Sequence, residues 1–217
     1  MSRISIPVDR EQLERQLEYG LTSMEISLDK GIRILLLDYL SLLKKWNCVY
    51  NLTAVRDLGK MVSTHILDSL AVLPHIPHGQ ILDVGSGAGL PGIPLAAAAA
   101  TSQFSLIESN QKKSAFLRQA VGELELANAQ VFCLKVEDWL PATKFNCIIA
   151  RAYAGLSQFI ESSKHLLAAD GVFAAMKGRY PAVELERIPE GYATKKVIEL
   201  RVPGLDAARH LVLVGRA

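Results

Sequence analysis

Ile81-Leu82-Asp83-Val84-Gly85-Ser86-Gly87-Ala88-Gly89-Leu90-Pro91-Gly92-Ile93-Pro94-Leu95 is the stretch that decides the fold. A short apolar run, Ile81 to Val84, breaks into Gly85, Gly87, Gly89 and Gly92 and then turns apolar and helical. Strand, glycine loop and helix in that order form the layout of a nucleotide pocket at the carboxyl end of a parallel strand. Glycines at such a turn permit positive φ and leave room for a ligand to approach the backbone. The plainer reading is a tight strand-to-helix turn with no ligand, but one turn rarely needs four glycines.

Working outward, the pattern from Gln80 alternates strand and helix. Strands are predicted at Ile81 to Val84, Phe104 to Glu108, Ala129 to Leu134, Phe145 to Ala150 and Gly171 to Met176. Helices are predicted near Pro91 to Ala100, Gln111 to Gly122, briefly Val136 to Trp139, and Leu156 to Leu167. Pro91 and Pro94 fall in a first helical turn, where a missing backbone donor costs little. Ala193 to Arg201 and His210 to Val214, joined through Pro203-Gly204, read as two antiparallel strands. The expected fold is α/β: a Rossmann-like seven-stranded sheet, mostly parallel, with an antiparallel C-terminal hairpin.

The part before the sheet reads as helical. Asp9 with Gln12 and Thr22 with Glu25 have capping-box spacing. Ile32, Leu35, Leu36, Tyr39, Leu40, Leu42 and Leu43 recur at helical spacing, and Leu37 widens that stripe. A further helix is predicted over Met61 to Leu73, and Pro74 to Gly79 then links into the sheet. Residues 1–78 are therefore expected to form a helical cap on a domain of residues 79–217. His75 and His78 have metal-like spacing, but two prolines and no third ligand favour solvated loop histidines.

The composition narrows the class. A chain of 217 residues suits one α/β domain with a small appendage. Half of the residues are hydrophobic and only 6% are aromatic, as aliphatic helix-and-sheet packing requires. A net charge of +2 demands no nucleic-acid partner by itself and leaves room for a basic patch on one face. Cys48, Cys133 and Cys147 are odd in number and lack C-x-x-C spacing, which suggests reduced thiols and no zinc site. No signal-peptide pattern opens the chain and no run is long enough for a bilayer, so a cytoplasmic location is expected.

The glycine loop itself can be read in two ways. Gly87-Ala88-Gly89-Leu90-Pro91-Gly92 matches G-x-G-x-x-G, and Glu108 follows at about the distance of a ribose-binding acid. That reading would make the chain a NAD-dependent dehydrogenase. Alternatively, Gly85-Ser86-Gly87-Ala88-Gly89 directly after Leu82-Asp83-Val84 resembles motif I of class I S-adenosyl-L-methionine (AdoMet) methyltransferases. Asp83 at the strand end would repel a pyrophosphate but would oppose the cationic end of AdoMet. The second reading is favoured. Glu108 offers two acceptor oxygens for ribose hydroxyls, or is a helix-start acid. Val136-Glu137 would lie beside the adenine, although Glu137 also suits a helix start. Arg151, at the end of the fourth strand, stands where an acceptor would meet the sulfonium, and burying it without an anion would be expensive.

Beyond the glycine loop, the chain resembles one family closely over about residues 31–178. The matching residues are Trp46-Asn47, Asn51-Leu52-Thr53, His65, Leu67-Asp68-Ser69-Leu70 and Leu82 through Pro94. Glu108-Ser109, Lys112-Lys113, Glu137, Ala150-Arg151-Ala152 and Lys177-Gly178 extend the match. The family is ribosomal RNA small subunit methyltransferase G, also called glucose-inhibited division protein B. Membership implies transfer of a methyl group from AdoMet to N7 of a guanosine in bacterial 16S ribosomal RNA. It also implies that Gly85, Leu90, Val136, Glu137 and Arg151 are AdoMet contacts.

The chemistry agrees with that implication. In-line methyl transfer chiefly needs alignment of the acceptor lone pair and exclusion of water. Guanine N7 has a free lone pair and loses no proton, so no general base or nucleophile is required. The chain lacks the Asn/Asp-Pro-Pro-aromatic motif of exocyclic amine methylation and a Pro-Cys nucleophile, and Cys147 reads as a core residue. Candidate cofactor-binding residues are thus Asp83, Gly85, Gly87, Gly89, Leu90, Glu108, Val136, Glu137 and Arg151. Arg151 and Lys177 are the catalytic candidates. Arg56, Lys60, Lys177, Arg179, Arg201 and Arg209 are candidate RNA contacts, with Lys177 and Arg179 expected on phosphates beside the target. Each could equally belong to a solvated charged face. Asn51, Thr53, His65 and Asp68 either line the acceptor side or tie cap to sheet by buried hydrogen bonds, and the second is favoured. The expected partner is 16S rRNA or the small ribosomal subunit, with no membrane and no metal, and the chain is expected to be a monomer. A non-catalytic AdoMet- or RNA-binding module is the remaining alternative.

Overall fold

Seven strands, β1 (Gln80–Val84), β2 (Gln103–Ile107), β3 (Ala129–Phe132), β4 (Phe145–Arg151), β5 (Leu167–Lys177), β6 (Tyr192–Glu199) and β7 (His210–Arg216), share one sheet. The structure, a computed structural model, describes residues 9–217. The strand order is β3-β2-β1-β4-β5-β7-β6. Strands β1 to β5 pair in parallel, whereas β7 is antiparallel to both β5 and β6. The hairpin therefore closes the sheet with its second strand inside and its first strand at the edge. From β1 the chain builds outward to β2 and β3, then returns to add β4 and β5 on the other side. That reversal opens a crevice at the carboxyl ends of β1 and β4, the place where open α/β sheets bind ligands.

Alternation along the strands divides the core. Ile81, Leu106, Cys147, Ile149, Ala174 and Met176 face one hydrophobic cluster, and Leu82, Val84, Ile148, Ala150, Phe173 and Ala175 face the other. The first cluster is covered by α1 (Arg10–Ser23), α2 (Lys30–Tyr50), α3 (Leu58–Met61), α4 (Asp68–Leu70), α5 (Gly92–Ala98) and α6 (Gln111–Glu123). Against the second lie α7 (Leu156–Ser163) and, at its edge, α8 (Ala182–Leu185). Leu36, Leu37, Tyr39, Leu40 and Leu43 of α2 are each at most 1% exposed, so the wide apolar stripe is buried on more than one side. Cys147 sits in the middle of β4, fully buried, and burial pushes its thiol up to about 12. Among the described residues no helix is long and apolar enough to cross a membrane.

Several local expectations need correction. Asp9 does cap α1, accepting from the Glu11 amide at 3.2 Å, but Thr22 and Glu25 start no helix. They close α1, with Glu25 at φ 58, and the next helix begins after Asp29. The expected helix from Met61 to Leu73 is α3 and α4 joined by a π-helical segment, Val62–Leu67, followed by a 3₁₀ turn at Leu73–His75. The π turn hands the Thr64 carbonyl to the Arg151 guanidinium at 3.0 Å, a long-range bond that local periodicity does not report. Strand β5 begins at Leu167, where α7 was expected to continue, because Leu167 pairs with Phe145 of β4. The part of the N-terminal helical reading that falls on residues 1–8 lies outside the described residues.

Candidate active site

The glycine loop is held in place from both flanking strands. Gly85 and Ser86 donate to the Ile107 carbonyl at 2.9 and 3.1 Å, which folds the chain back over the end of β2. Gly85, Gly87 and Gly89 have φ of 67, 56 and 84°, a region that side chains seldom adopt. Beneath the loop, Asp83 is fully buried and its Oδ2 accepts the Gly92 amide at 3.0 Å. Its Oδ1 has no partner among the described residues. Burial raises the Asp83 carboxyl to about 7, with the Gly92 amide and the Arg151 charge pulling the other way. Asp83 thus supports the loop from below and lines neither of the cavities described next.

Glu108, just past β2, is 8% exposed and accepts the Gly87 amide on one oxygen at 3.0 Å and the Asn110 amide on the other at 2.8 Å. Each carboxylate oxygen keeps a further acceptor position. This acid forms one wall of a cavity of about 590 Å³, whose other sides include Gly85, Val136, Glu137, Ala152 and Tyr153. Val136 is buried and Glu137 exposed, both in a 3₁₀ turn, Val136–Asp138. A pair of acceptor oxygens facing the turn at Val136-Glu137 suits a ribose with an attached base. Gly87, Gly89 and Leu90 shape the loop behind this wall rather than lining it.

A second cavity of about 540 Å³ adjoins the first between the helices and the ends of β4 and β5. Arg151, Lys177, His65, Asp68 and Arg209 line it, together with Ala152 and Tyr153. Ala152 and Tyr153 are common to both cavities. The Tyr153 ring packs edge to face on Phe159, with centroids 6.3 Å apart, and lies over Gly85. Ala152, at φ 53, swings the chain from β4 into that position. Sequence reasoning missed Tyr153; its signal was an aromatic side chain two residues past the candidate Arg151.

Two arginines in the second cavity share one carboxylate. Asp68, 2% exposed, accepts from Arg151 at 3.1 Å and from Arg209 at 2.8 Å. The anion that Arg151 needs is therefore supplied by the N-terminal helices. Thr53 accepts or donates at 2.9 Å to His65 Nε2, and its own amide donates to Asn47 at 2.9 Å. Burial is the main cause that lowers the His65 imidazole, and His65 Nδ1 is unpartnered among the described residues. Asp68 and His65 combine the two expected roles, lining the cavity while making buried bonds; Asn51 is exposed and bonds Arg56 at 3.3 Å. Lys177 donates to the Ala154 carbonyl at 3.2 Å and to Glu184 at 2.7 Å. Burial opposes the Glu184 charge, but bonds from Lys177 and the Leu156 amide outweigh it and hold the carboxyl below its ordinary range. Glu184 is a further residue that no motif marks in the sequence.

The remaining basic candidates divide by position. Arg56 is exposed beside Val55, which lines the second cavity, and Lys60 is exposed on α3. Arg179 is exposed directly after the lining residues Lys177 and Gly178. Arg201 lies elsewhere, in a cleft with Met24 and His75. The embedded G-x-G-x-x-G packs its end closely against β1 and β2. Its last glycine, Gly92, gives its amide to Asp83, and a Cβ there would strike Leu106 and lie 2.6 Å from the Asp83 carboxylate.

Comparison with known proteins decides between the readings. The model of the rRNA small subunit methyltransferase G family, GidB, matches residues 33–212. The chain belongs to this family. The methyltransferase G match reaches past Gly178, where the recognisable motifs end, and takes in Arg209. A ribosomal RNA small subunit methyltransferase G of Laribacter hongkongensis is 49% identical over 94% of this chain and 98% of its own length. Solved structures share the fold at low identity. The DhpI–SAH complex superposes with a TM-score of 0.58 at 15% identity, over 94% of this chain and 97% of that one. M. jannaschii TYW2 in complex with AdoMet gives 0.52 at 17% identity, over 69% of this chain and 74% of that one. The relatives at 46–49% identity carry the name of a methyltransferase, an enzyme, and the solved structures share the fold.

Proposed function

We propose that this chain transfers the methyl group of AdoMet to N7 of a guanosine in 16S ribosomal RNA. The observation that carries the reading is the pair of adjoining cavities, one walled by Glu108 and one by Arg151 and Lys177, which meet at Ala152 and Tyr153. Family membership and the cofactors named for two fold neighbours support it. When bound, AdoMet supplies an electrophilic methyl group on a sulfonium.

Glu108 would take the ribose hydroxyls on its free acceptor positions, and the turn at Val136-Glu137 would flank the adenine. The glycine loop would bring its backbone against the amino-acid end, held in register by Asp83 below. Arg151, fixed by Asp68 and the Thr64 carbonyl, would orient the acceptor base, and Lys177 would hold it or an adjoining phosphate. Guanine N7 loses no proton, so the residues around it need only align the lone pair and exclude water. Arg209 lines this opening and Arg56 and Arg179 adjoin its lining residues in sequence, and these with Lys60 would hold RNA phosphates. Arg201 would touch RNA only at a distance from the target.

The test is transfer of tritiated methyl from AdoMet to 16S rRNA and to 30S particles lacking this modification. Label in N7-methylguanosine at a single position is expected, and Arg151→Ala should abolish it. AdoMet binding without label in either substrate would refute the ribosomal assignment.

A further inference from the structure

Tyr180 is a large aromatic residue left 58% exposed. It follows the lining residues Lys177 and Gly178 by only a few positions, in the loop between β5 and α8. Its ring has an aromatic neighbour. It stands edge to face on His210, with centroids 5.7 Å apart and planes at 83°. His210 is itself anchored, with Nδ1 2.9 Å from the Gly178 carbonyl and its backbone paired to Lys177 and Glu199. Cations flank it: Arg179 is exposed next to it in sequence, and Arg209 precedes His210 and lines the cavity.

We propose that Tyr180 is a stacking platform for the unpaired base next to the target guanosine, so that the enzyme takes its acceptor from a single-stranded or opened segment. The proposal rests on the RNA-methyltransferase reading. A base that enters the second cavity must leave its stack, which strips one face of its neighbour of contact. The Tyr180 ring, braced on His210 and two residues beyond the lining residue Gly178, would replace that contact. An exposed aromatic side chain beside arginines is a combination that binds single-stranded nucleic acid, whereas an A-form duplex is held mainly through phosphates and 2′-hydroxyls. Because every base has a π-face, the platform would add affinity without selecting sequence.

The experiment compares Tyr180→Ala, Tyr180→Phe and Tyr180→Trp in binding and methylation of 16S rRNA at several salt concentrations. Tyr180→Ala should raise the RNA Kd and KM about 5- to 100-fold. Its AdoMet affinity and the slope of log affinity against log salt should stay unchanged. The phenylalanine and tryptophan variants should restore binding, while Arg179→Ala should instead flatten the salt slope. Unaltered RNA affinity in Tyr180→Ala, or a loss that neither aromatic variant rescues, would overturn the platform while leaving the methyltransferase reading intact. Failure of the unmutated protein to bind or methylate any RNA would overturn both.

Discussion

The Tyr153 ring fills the space that a side chain on Gly85 would need: a Cβ there would lie 2.5 Å from Tyr153 Cδ2. The loop after β1 and the loop after β4 are thereby locked face to face at the seam of the two cavities. Gly85→Ala combines that collision with a φ of 67°, so strain of roughly 1–3 kcal/mol is expected. AdoMet affinity, measured by titration calorimetry, should fall at least about 10-fold. Wild-type affinity in this variant would show that the seam is looser than the geometry states.

Glu108→Gln keeps the shape of the side chain but puts an amide donor where one of two acceptor oxygens stood. One of the Gly87 and Asn110 amides then faces a donor, and one ribose acceptor is lost. Charge-assisted bonds contribute about 1.5–3 kcal/mol each, so AdoMet Kd should rise about 10- to 100-fold. RNA binding in the absence of AdoMet should not change. An equal loss of both would point to damage of the loop rather than of a ribose contact.

Asp68→Asn leaves the Arg151 and Arg209 guanidiniums without their shared anion. Both arginines are about a quarter exposed, at 22% and 25%, so water offsets part of the loss. A destabilisation of roughly 2–3 kcal/mol is expected in urea unfolding, with methyl transfer reduced because Arg151 loses its orientation. An unchanged midpoint would mean that the pairs hold position without adding stability.

Asp83 makes the ligand-free protein sensitive to pH. Its folded carboxyl, near 7, lies above its ordinary value of 3.8, so folding favours the protonated form. The unfolded chain releases this proton first, and stability should decline as pH rises from about 4 to about 7. The slope from this group is about 1 kcal/mol per pH unit. Asp83→Asn should flatten the decline over that window. A stability curve with the same slope in the variant would assign the dependence to other groups.

The glycine loop, the alternation of strands and helices, and the acid at Glu108 were legible because each is a local pattern with one geometric solution. The order of β6 and β7 was not, since either strand of a hairpin can meet β5 and only packing selects β7. The π turn escaped notice for a related reason: Thr64 leaves helical register to serve Arg151, which is 87 residues away. Arg151 was selected from its strand end, but its partner Asp68 sits among apolar residues and reads like any buried polar link. Tyr153 and Glu184 were missed because neither belongs to a motif. The first matters through its place between two cavities, and the second through its bonds to Lys177 and the Leu156 amide.

The inside position of β7 makes one of the two cavities depend on the end of the sheet. Strand β6 hydrogen-bonds only to β7 within the sheet, and Arg209 reaches Asp68 across 141 residues of chain. Arg209, one residue before β7, and Lys177, whose backbone pairs with His210 of β7, line the second cavity together with Arg151. The cavity walled by Glu108 takes no residue from β6 or β7. A substitution that loosens the hairpin would therefore act on the second cavity before it touches any residue of the first.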